Sequence, residues 1–239
     1  MNLSAPIYRL KRQAKQLARE TSRPMNETLD QIASDEGFRS WSHLSSVASQ
    51  QPVAKRLLNG FQPRELILIA GRPGQGKTTL ALTILAEAVL RHRRAWFFTL
   101  EYTEAEAWRR LEGEGYSQSR LRPYLNIDAS DDLSAKTMVD HMRPNVEEKP
   151  WLAVIDYLQI MDQNRQHPPL QQQVDMLKDF AREAGGTILL LSQVDRQFTE
   201  TDRQIPTRSD IRLPNPLDLS IFDRFYALHD GEISLNTRD

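Results

Sequence analysis

The chain has 239 residues, with Lys+Arg 31 against Asp+Glu 32 and a formal net charge of −1. An apolar share of 39% suits one medium domain with a small appendage, or one larger domain. The charge balance excludes a globally basic protein that coats nucleic acid. The absence of Cys excludes disulfides, thiolate zinc sites and cysteine nucleophiles together.

Met1 to Arg19 alternates apolar and basic residues without the continuous apolar stretch of a secretory signal. The longest apolar runs, near Leu66–Ala70 and Ile188–Leu191, are strand-sized and too short to cross a bilayer. The expectation is a cytoplasmic protein with no membrane segment. Residues 1–50 read as three short helices forming a small module. Ile7, Leu10, Ala14 and Leu17 recur at helical spacing, and Ser22 and Pro24 mark a break. Leu29, Ile32 and Ala33 form the next apolar stripe, which Gly37 stops as a left-handed cap. Ser40 caps a last turn carrying Trp41, Leu44 and Val47. Six bases and one acid lie between Ile7 and Arg23, whereas Met25 to Phe38 holds four acids and no base. The basic face either stays solvated, pairs with the acidic second helix, or contacts phosphates.

Ser49 to Pro52 reads as a linker, and residues 53–239 as a second domain. There, apolar runs of strand length alternate with amphipathic helical segments, the pattern of a parallel α/β sheet. The candidate strands are Glu65–Ala70, Ala95–Leu100, Trp151–Asp156, Thr187–Gln193 and Phe222–Leu228. A helix carrying Leu170, Val174, Leu177, Ala181 and Ala184 on one face ends at Gly185-Gly186. Phe198–Pro216 reads as a polar loop, and Phe225–Leu235 as a hairpin around Asp230-Gly231.

Gly71-Arg72-Pro73-Gly74-Gln75-Gly76-Lys77-Thr78 fits G-x-x-x-x-G-K-[ST], follows an apolar strand and opens a helix. In that context the glycines let backbone N–H groups ring a phosphate, and the helix start adds positive potential. Lys77 then reaches the β- and γ-phosphates of ATP, and the Thr78 hydroxyl ligates Mg²⁺. The alternative is a fortuitous Gly-rich turn. Trp151–Asp156 places an acid at the carboxyl edge of the sheet, where Asp156 can hold Mg²⁺ through water; strands also end in Asp to cap turns. Ala95–Glu101 ends the same way, so Glu101 either orients and deprotonates the attacking water or is a solvated loop carboxylate. Ser192-Gln193 at the end of another strand offers an uncharged sensor of the γ-phosphate, or an ordinary strand end. The five histidines form no metal-ligand spacing.

Taken together, GRPGQGKTT (71–79, ending in Thr79), FFTLE (97–101), VIDYLQIM (154–161), LSQVDR (191–196) and SDIR (209–212) resemble the RecA/DnaB superfamily of ATPases. The resemblance is greatest to the ATPase domain of DnaB-type replicative helicases and spans roughly residues 60–215. It implies an α/β fold, a RecA-like P-loop NTPase with a mostly parallel twisted sheet. It also implies a helicase-like ATPase using ATP and Mg²⁺, with Lys77 and Thr78 as the Walker A pair. Glu101 is then the catalytic base, Asp156 the Walker B acid and Gln193 the γ-phosphate sensor. Loops after Asp156 and Gln193, carrying Arg165, His167, Arg196, Arg203 and Arg208, would face single-stranded DNA inside a ring of copies. The family's basic Lys-x-Arg after the last strands has no counterpart here, and the segment after SDIR lacks the family's acidic pattern. Those departures admit a second reading, an ATP-dependent switch or adaptor with slow hydrolysis and no unwinding. A third, a P-loop phosphotransferase acting on a small molecule, lacks lid arginines and an acceptor pocket.

Overall fold

The computed structural model describes residues 7–21, 23–42, 44, 53–146, 150–162, 167–195, 198, 205–213, 215–229 and 232–236. The chain divides into two compact units, Met1–Val53 and Ala54–Asp239. In the first, helices α1 (Ile7–Thr21) and α2 (Met25–Asp35) bury Leu10, Ala33, Phe38 and Leu44, with Ile32 and Trp41 packed against them. Gly37 takes φ +83°, the left-handed conformation that lets Phe38 N–H return to Ala33 O at 2.8 Å and close the end of α2. A further helical turn includes Trp41 and Leu44. Val47 and the linker expected at Ser49–Pro52 lie outside the described residues.

The second unit opens with α3 (Val53–Gly60) and is built on a seven-stranded sheet. Its strands are β1 (Leu66–Gly71), β2 (Arg94–Thr99), β3 (Leu125–Asp128), β4 (Trp151–Asp156), β5 (Thr187–Gln193), β6 (Arg224–His229) and β7 (Glu232–Asn236). The order across the sheet is β3-β2-β4-β5-β1-β6-β7, parallel except for the β6–β7 pair. β1 and β4 are buried along their whole length, as expected where both faces of a parallel sheet are covered. The chain between strands forms α4 (Lys77–Val89), α5 (Glu104–Gly113), α6 (Gln118–Leu121), α7 (Ala135–Met142) and α8 (Leu170–Ala184). Gly185, at φ +74°, ends α8.

Three features depart from the sequence expectation. β3 carries only four residues at the sheet edge, too few for a periodic pattern to mark. The last pair of strands is antiparallel as expected, but β6 begins two residues late, at Arg224, because a 3-10 turn at Leu219–Ile221 and the Asp223 carboxylate intervene. That carboxylate accepts the Leu66 N–H and pairs with the buried Lys178 ammonium, pinning the start of β1. The Asp230-Gly231 turn lies outside the described residues. Finally, the described part of the expected Phe198–Pro216 loop is ordered by a 3-10 turn, Arg208–Asp210, which Thr207 and Asp210 cap reciprocally. An antiparallel bridge then joins Val194 to Ile211.

Gly186 shows how tightly the core fits. A Cβ there would stand 1.9 Å from the Trp151 ring, whose indole N–H donates to Ala184 O at 3.0 Å. A Cβ at Gly113, by contrast, meets nothing within 4 Å. Gly186→Ala should therefore cost about 1–3 kcal/mol or more through overpacking. Gly113→Ala should be neutral or mildly stabilising, by up to ~1 kcal/mol. Urea unfolding of the two variants checks this, and equal midpoints would contradict the packing.

Candidate functional site at the carboxyl edge of the sheet

β1, β2, β4 and β5 run parallel, so their carboxyl ends meet along one edge, where open α/β sheets bind ligands. The register sets the height of each group. Gly71 lies opposite Gln193, Ala70 opposite Ser192, and Thr99 opposite Asp156.

The loop from β1 to α4 is shaped by three glycines. Gly74 and Gly76 take φ +78° and +85°. At Gly71 a Cβ would stand 2.6 Å from the backbone oxygen of Leu228, so only glycine fits beside β6. The Lys77 ammonium folds back over the loop and donates to Gly71 O at 2.8 Å and Arg72 O at 3.0 Å, leaving one N–H. Burial lowers the Lys77 pKa, while the charges of Asp156 and Glu101 work against that fall. Pro73, Gly74 and Gln75 form the crown of the loop. Thr79 lies in the first turn of α4, its carbonyl accepting the Thr83 hydroxyl at 2.8 Å. The first turn of α4 has N–H groups without intrahelical acceptors, and the residue before it, Gly76, has no side chain to cap them. A left-handed glycine loop, an ammonium and a helix N-terminus together fit a phosphate.

Thr78 reaches from α4 past β5 to β4, where its hydroxyl donates to Asp156 at 2.7 Å. Both are buried. The Asp156 carboxyl is pushed up to about 6. Burial is the main cause and the Glu101 charge adds to it, against the Thr78 hydrogen bond and the Lys77 and Arg110 charges. A hydroxyl and carboxylates with a deficit of positive charge are a hard-oxygen donor set, which fits a divalent cation such as Mg²⁺. Glu101 is exposed at the exit of β2. Its N–H donates to the buried Thr99 hydroxyl at 3.0 Å, and the chain then enters α5 through a capping box between Thr103 and Glu106. Both contacts hold the backbone that carries Glu101. Gln193 is half-buried at the end of β5, and its carbonyl accepts the Arg212 N–H at 2.9 Å.

Several contributors are invisible to sequence patterning. Arg110, two turns into α5, lies 4.4 Å from the centre of the Tyr102 ring, and its charge acts on Asp156. Gln159 is buried after β4, where its amide donates to the Ser192 hydroxyl at 3.1 Å and to Arg212 O at 2.5 Å. Only the run of polar residues at strand ends hinted at Gln159. Of the arginines expected to face nucleic acid, Arg208 donates to Phe222 O at 3.4 Å and sits 6.0 Å over the Phe225 ring. His167 contacts Asp132 at 2.7 Å. Arg165, Arg196 and Arg203 lie outside the described residues.

The family model described as the DnaB-like helicase C-terminal domain matches residues 47–122 and 106–215. The replicative DNA helicase DnaB of Treponema pallidum (strain Nichols) is 30% identical over 205 residues, covering 73% of this chain and 46% of the relative. That of Mycoplasma pneumoniae is 31% identical over 193 residues, covering 66% and 41%. The chain thus spans less than half the length of these relatives. Among solved structures, an isolated ATPase domain superposes with a TM-score of 0.59 at 21% identity, covering 78% of this chain and 80% of that one. A DnaB-like replicative helicase, described with its interactions with primase, gives 0.62 at 19% identity, covering 96% and 73%. At these identities the likeness is one of fold: a RecA-like, mostly parallel sheet.

The raised Asp156 pKa has a measurable consequence. The folded carboxyl keeps a proton that the unfolded one has lost between about pH 4 and 6. Stability of the ligand-free protein therefore falls as pH rises through that window. Asp156→Asn removes the ionisation and should raise the melting temperature at pH 7.5 by several degrees, at most about 3 kcal/mol of stability. The advantage should vanish near pH 4. A variant less stable than the parent at pH 7.5 would mean that the ionised carboxylate is net favourable.

Proposed function

The chain belongs to the family of the DnaB-like helicase C-terminal domain, and from that premise we propose that it binds and hydrolyses ATP as a helicase-like motor acting on nucleic acid. The observation that carries this reading is the Thr78–Asp156 hydrogen bond, which ties the phosphate loop to the acid of β4. In the proposed mechanism the backbone of Gly71 to Thr79 and the Lys77 ammonium hold the β- and γ-phosphates. Thr78 and Asp156 hold Mg²⁺, which when bound neutralises charge on those phosphates. Glu101, at the exit of β2, orients the attacking water and accepts its proton. Gln193 senses the γ-phosphate, and its backbone bond to Arg212 passes the difference to the following segment.

The proposal extends to partners. The segments after Asp156 and Gln193, with Arg165, Arg196, Arg203 and Arg208, contact a single strand at the centre of a ring of copies. Binding there is sequence-tolerant and weakened by salt. We place the protein in the cytoplasm. Among the described residues no helix is long and apolar enough to cross a membrane.

ATP turnover measured with and without single-stranded DNA, alongside the mass in solution with ATP, tests the reading. Lys77→Ala should abolish turnover, because the loop loses its mobile cation. Glu101→Gln should still bind Mg-ATP and lose about 10²-fold or more in turnover. Normal hydrolysis by Glu101→Gln would place the base elsewhere. Slow turnover unaffected by DNA would favour a nucleotide-dependent switch.

A further inference from the structure

The first unit carries a surface that the helicase family does not account for, since the family match begins at residue 47. Lys11, Arg12, Lys15 and Arg19 are all exposed on α1. At 100° per residue they fall within an arc of about 100°, in a stripe about 12 Å long. The opposite face, with Leu10 and Ala14, is buried. The acid of this helix, Glu20, lies about 80° beyond the edge of the arc and accepts the Gln16 amide at 2.9 Å.

Two observations argue against a merely structural role for the stripe. The neighbouring acidic helix does not neutralise it. On α2, Asp30 accepts the Trp41 N–H at 2.8 Å and Asp35 accepts the Gln31 amide at 3.1 Å, and among the described residues no ion pair joins α2 to these four cations. The stripe also does not serve the helix. The first turn of α1 has no acid, and Lys11 and Arg12 stand in its N-terminal half, where the macrodipole disfavours cations. Four like charges are thus held together, uncompensated, at some cost to the helix.

We propose that this stripe is a binding site for the phosphate backbone of nucleic acid, separate from the ATPase edge and independent of nucleotide. Its length matches three to four phosphates of one strand at an axial spacing of about 3.4 Å. Nucleic acid fits better than a bilayer, because the apolar side of α1 is consumed by its own unit and has nothing to insert. It also fits better than a protein partner, because among the described residues the stripe carries no exposed aromatic or aliphatic anchor.

The test is polarisation of labelled single-stranded and duplex oligonucleotides with the full chain, without nucleotide, from 50 to 200 mM salt. Four phosphate contacts predict a loss of roughly 50- to 150-fold in affinity over that range. Lys11→Gln/Arg12→Gln/Lys15→Gln/Arg19→Gln should remove most of that salt dependence and weaken binding at 50 mM salt by about 10²-fold, leaving ATP turnover and helical content unchanged. The charge-reversed set, with Glu at the same four positions, should bind more weakly still. Unaltered affinity and salt slope in the Gln set would overturn the proposal. So would absence of binding by the parent at 50 mM salt, or binding to phosphatidylserine vesicles without binding to either oligonucleotide. Loss of turnover in Lys77→Ala bears only on the ATPase reading, and binding by the stripe should survive it.

Discussion

The hydrogen bond from the Thr78 hydroxyl to the Asp156 carboxylate is the contact around which the second unit is arranged. It can form only if α4 starts directly above the edge of the sheet and β4 stands one strand away from β1, with β5 between them. The glycines of the β1–α4 loop exist to meet that demand. Gly71 lets the chain pass Leu228 on β6, and Gly76 turns it into the helix. The same closeness explains the electrostatics. A buried carboxylate with a second carboxylate nearby and one ammonium across the loop is short of positive charge, so its proton is held more tightly. A site that is unfavourable when empty is suited to binding a cation that supplies the missing charge.

A second layer surrounds this contact. Gln159 reaches from the turn after β4 to both Ser192 on β5 and the backbone of Arg212. The Val194–Ile211 bridge, the Arg212 N–H to Gln193 carbonyl bond and the Asp195 N–H to Asp210 carbonyl bond at 2.8 Å fasten the segment around residue 211 to the end of β5. The ends of β4 and β5 and this segment therefore form one hydrogen-bonded network. A displacement at Gln193 would be carried by backbone bonds into residues 208–212. This gives a physical route by which the phosphate edge can influence a neighbouring surface, without a long chain of side-chain contacts.

How much of this was legible depended on how local each feature is. The phosphate loop could be read because its determinants fall within about twenty consecutive residues: an apolar strand, three spaced glycines, Lys-Thr and a helix. Asp156 and Glu101 could be picked out as acids ending apolar strands. Their relation to the loop could not, because it depends on which strands are neighbours. β3 escaped because four residues at an edge carry too little pattern, and its Leu125 and Ile127 look like part of any short turn. Arg110 escaped because an arginine on an amphipathic helix is ordinarily a solvated charge. Only the chain's path after β2 brings it over Tyr102 and into the field of Asp156.

The sequence by itself determined the chemistry on offer: a loop able to hold a phosphate, two acids and an amide at the ends of strands, and a basic run on the first helix. These are matters of residue type and short spacing, which local backbone preference and hydrophobic period express directly. The tertiary structure decided which of those groups meet. Strand order brought Thr78 to Asp156 and Gln159 to Ser192, and burial rather than residue type raised the Asp156 proton affinity. Within the first unit it turned Asp30 and Asp35 of α2 toward Trp41 and Gln31 instead of toward the cations of α1. Proximity across some eighty residues and the cost of removing a charge from water are properties of the packed chain, and no window of sequence contains them.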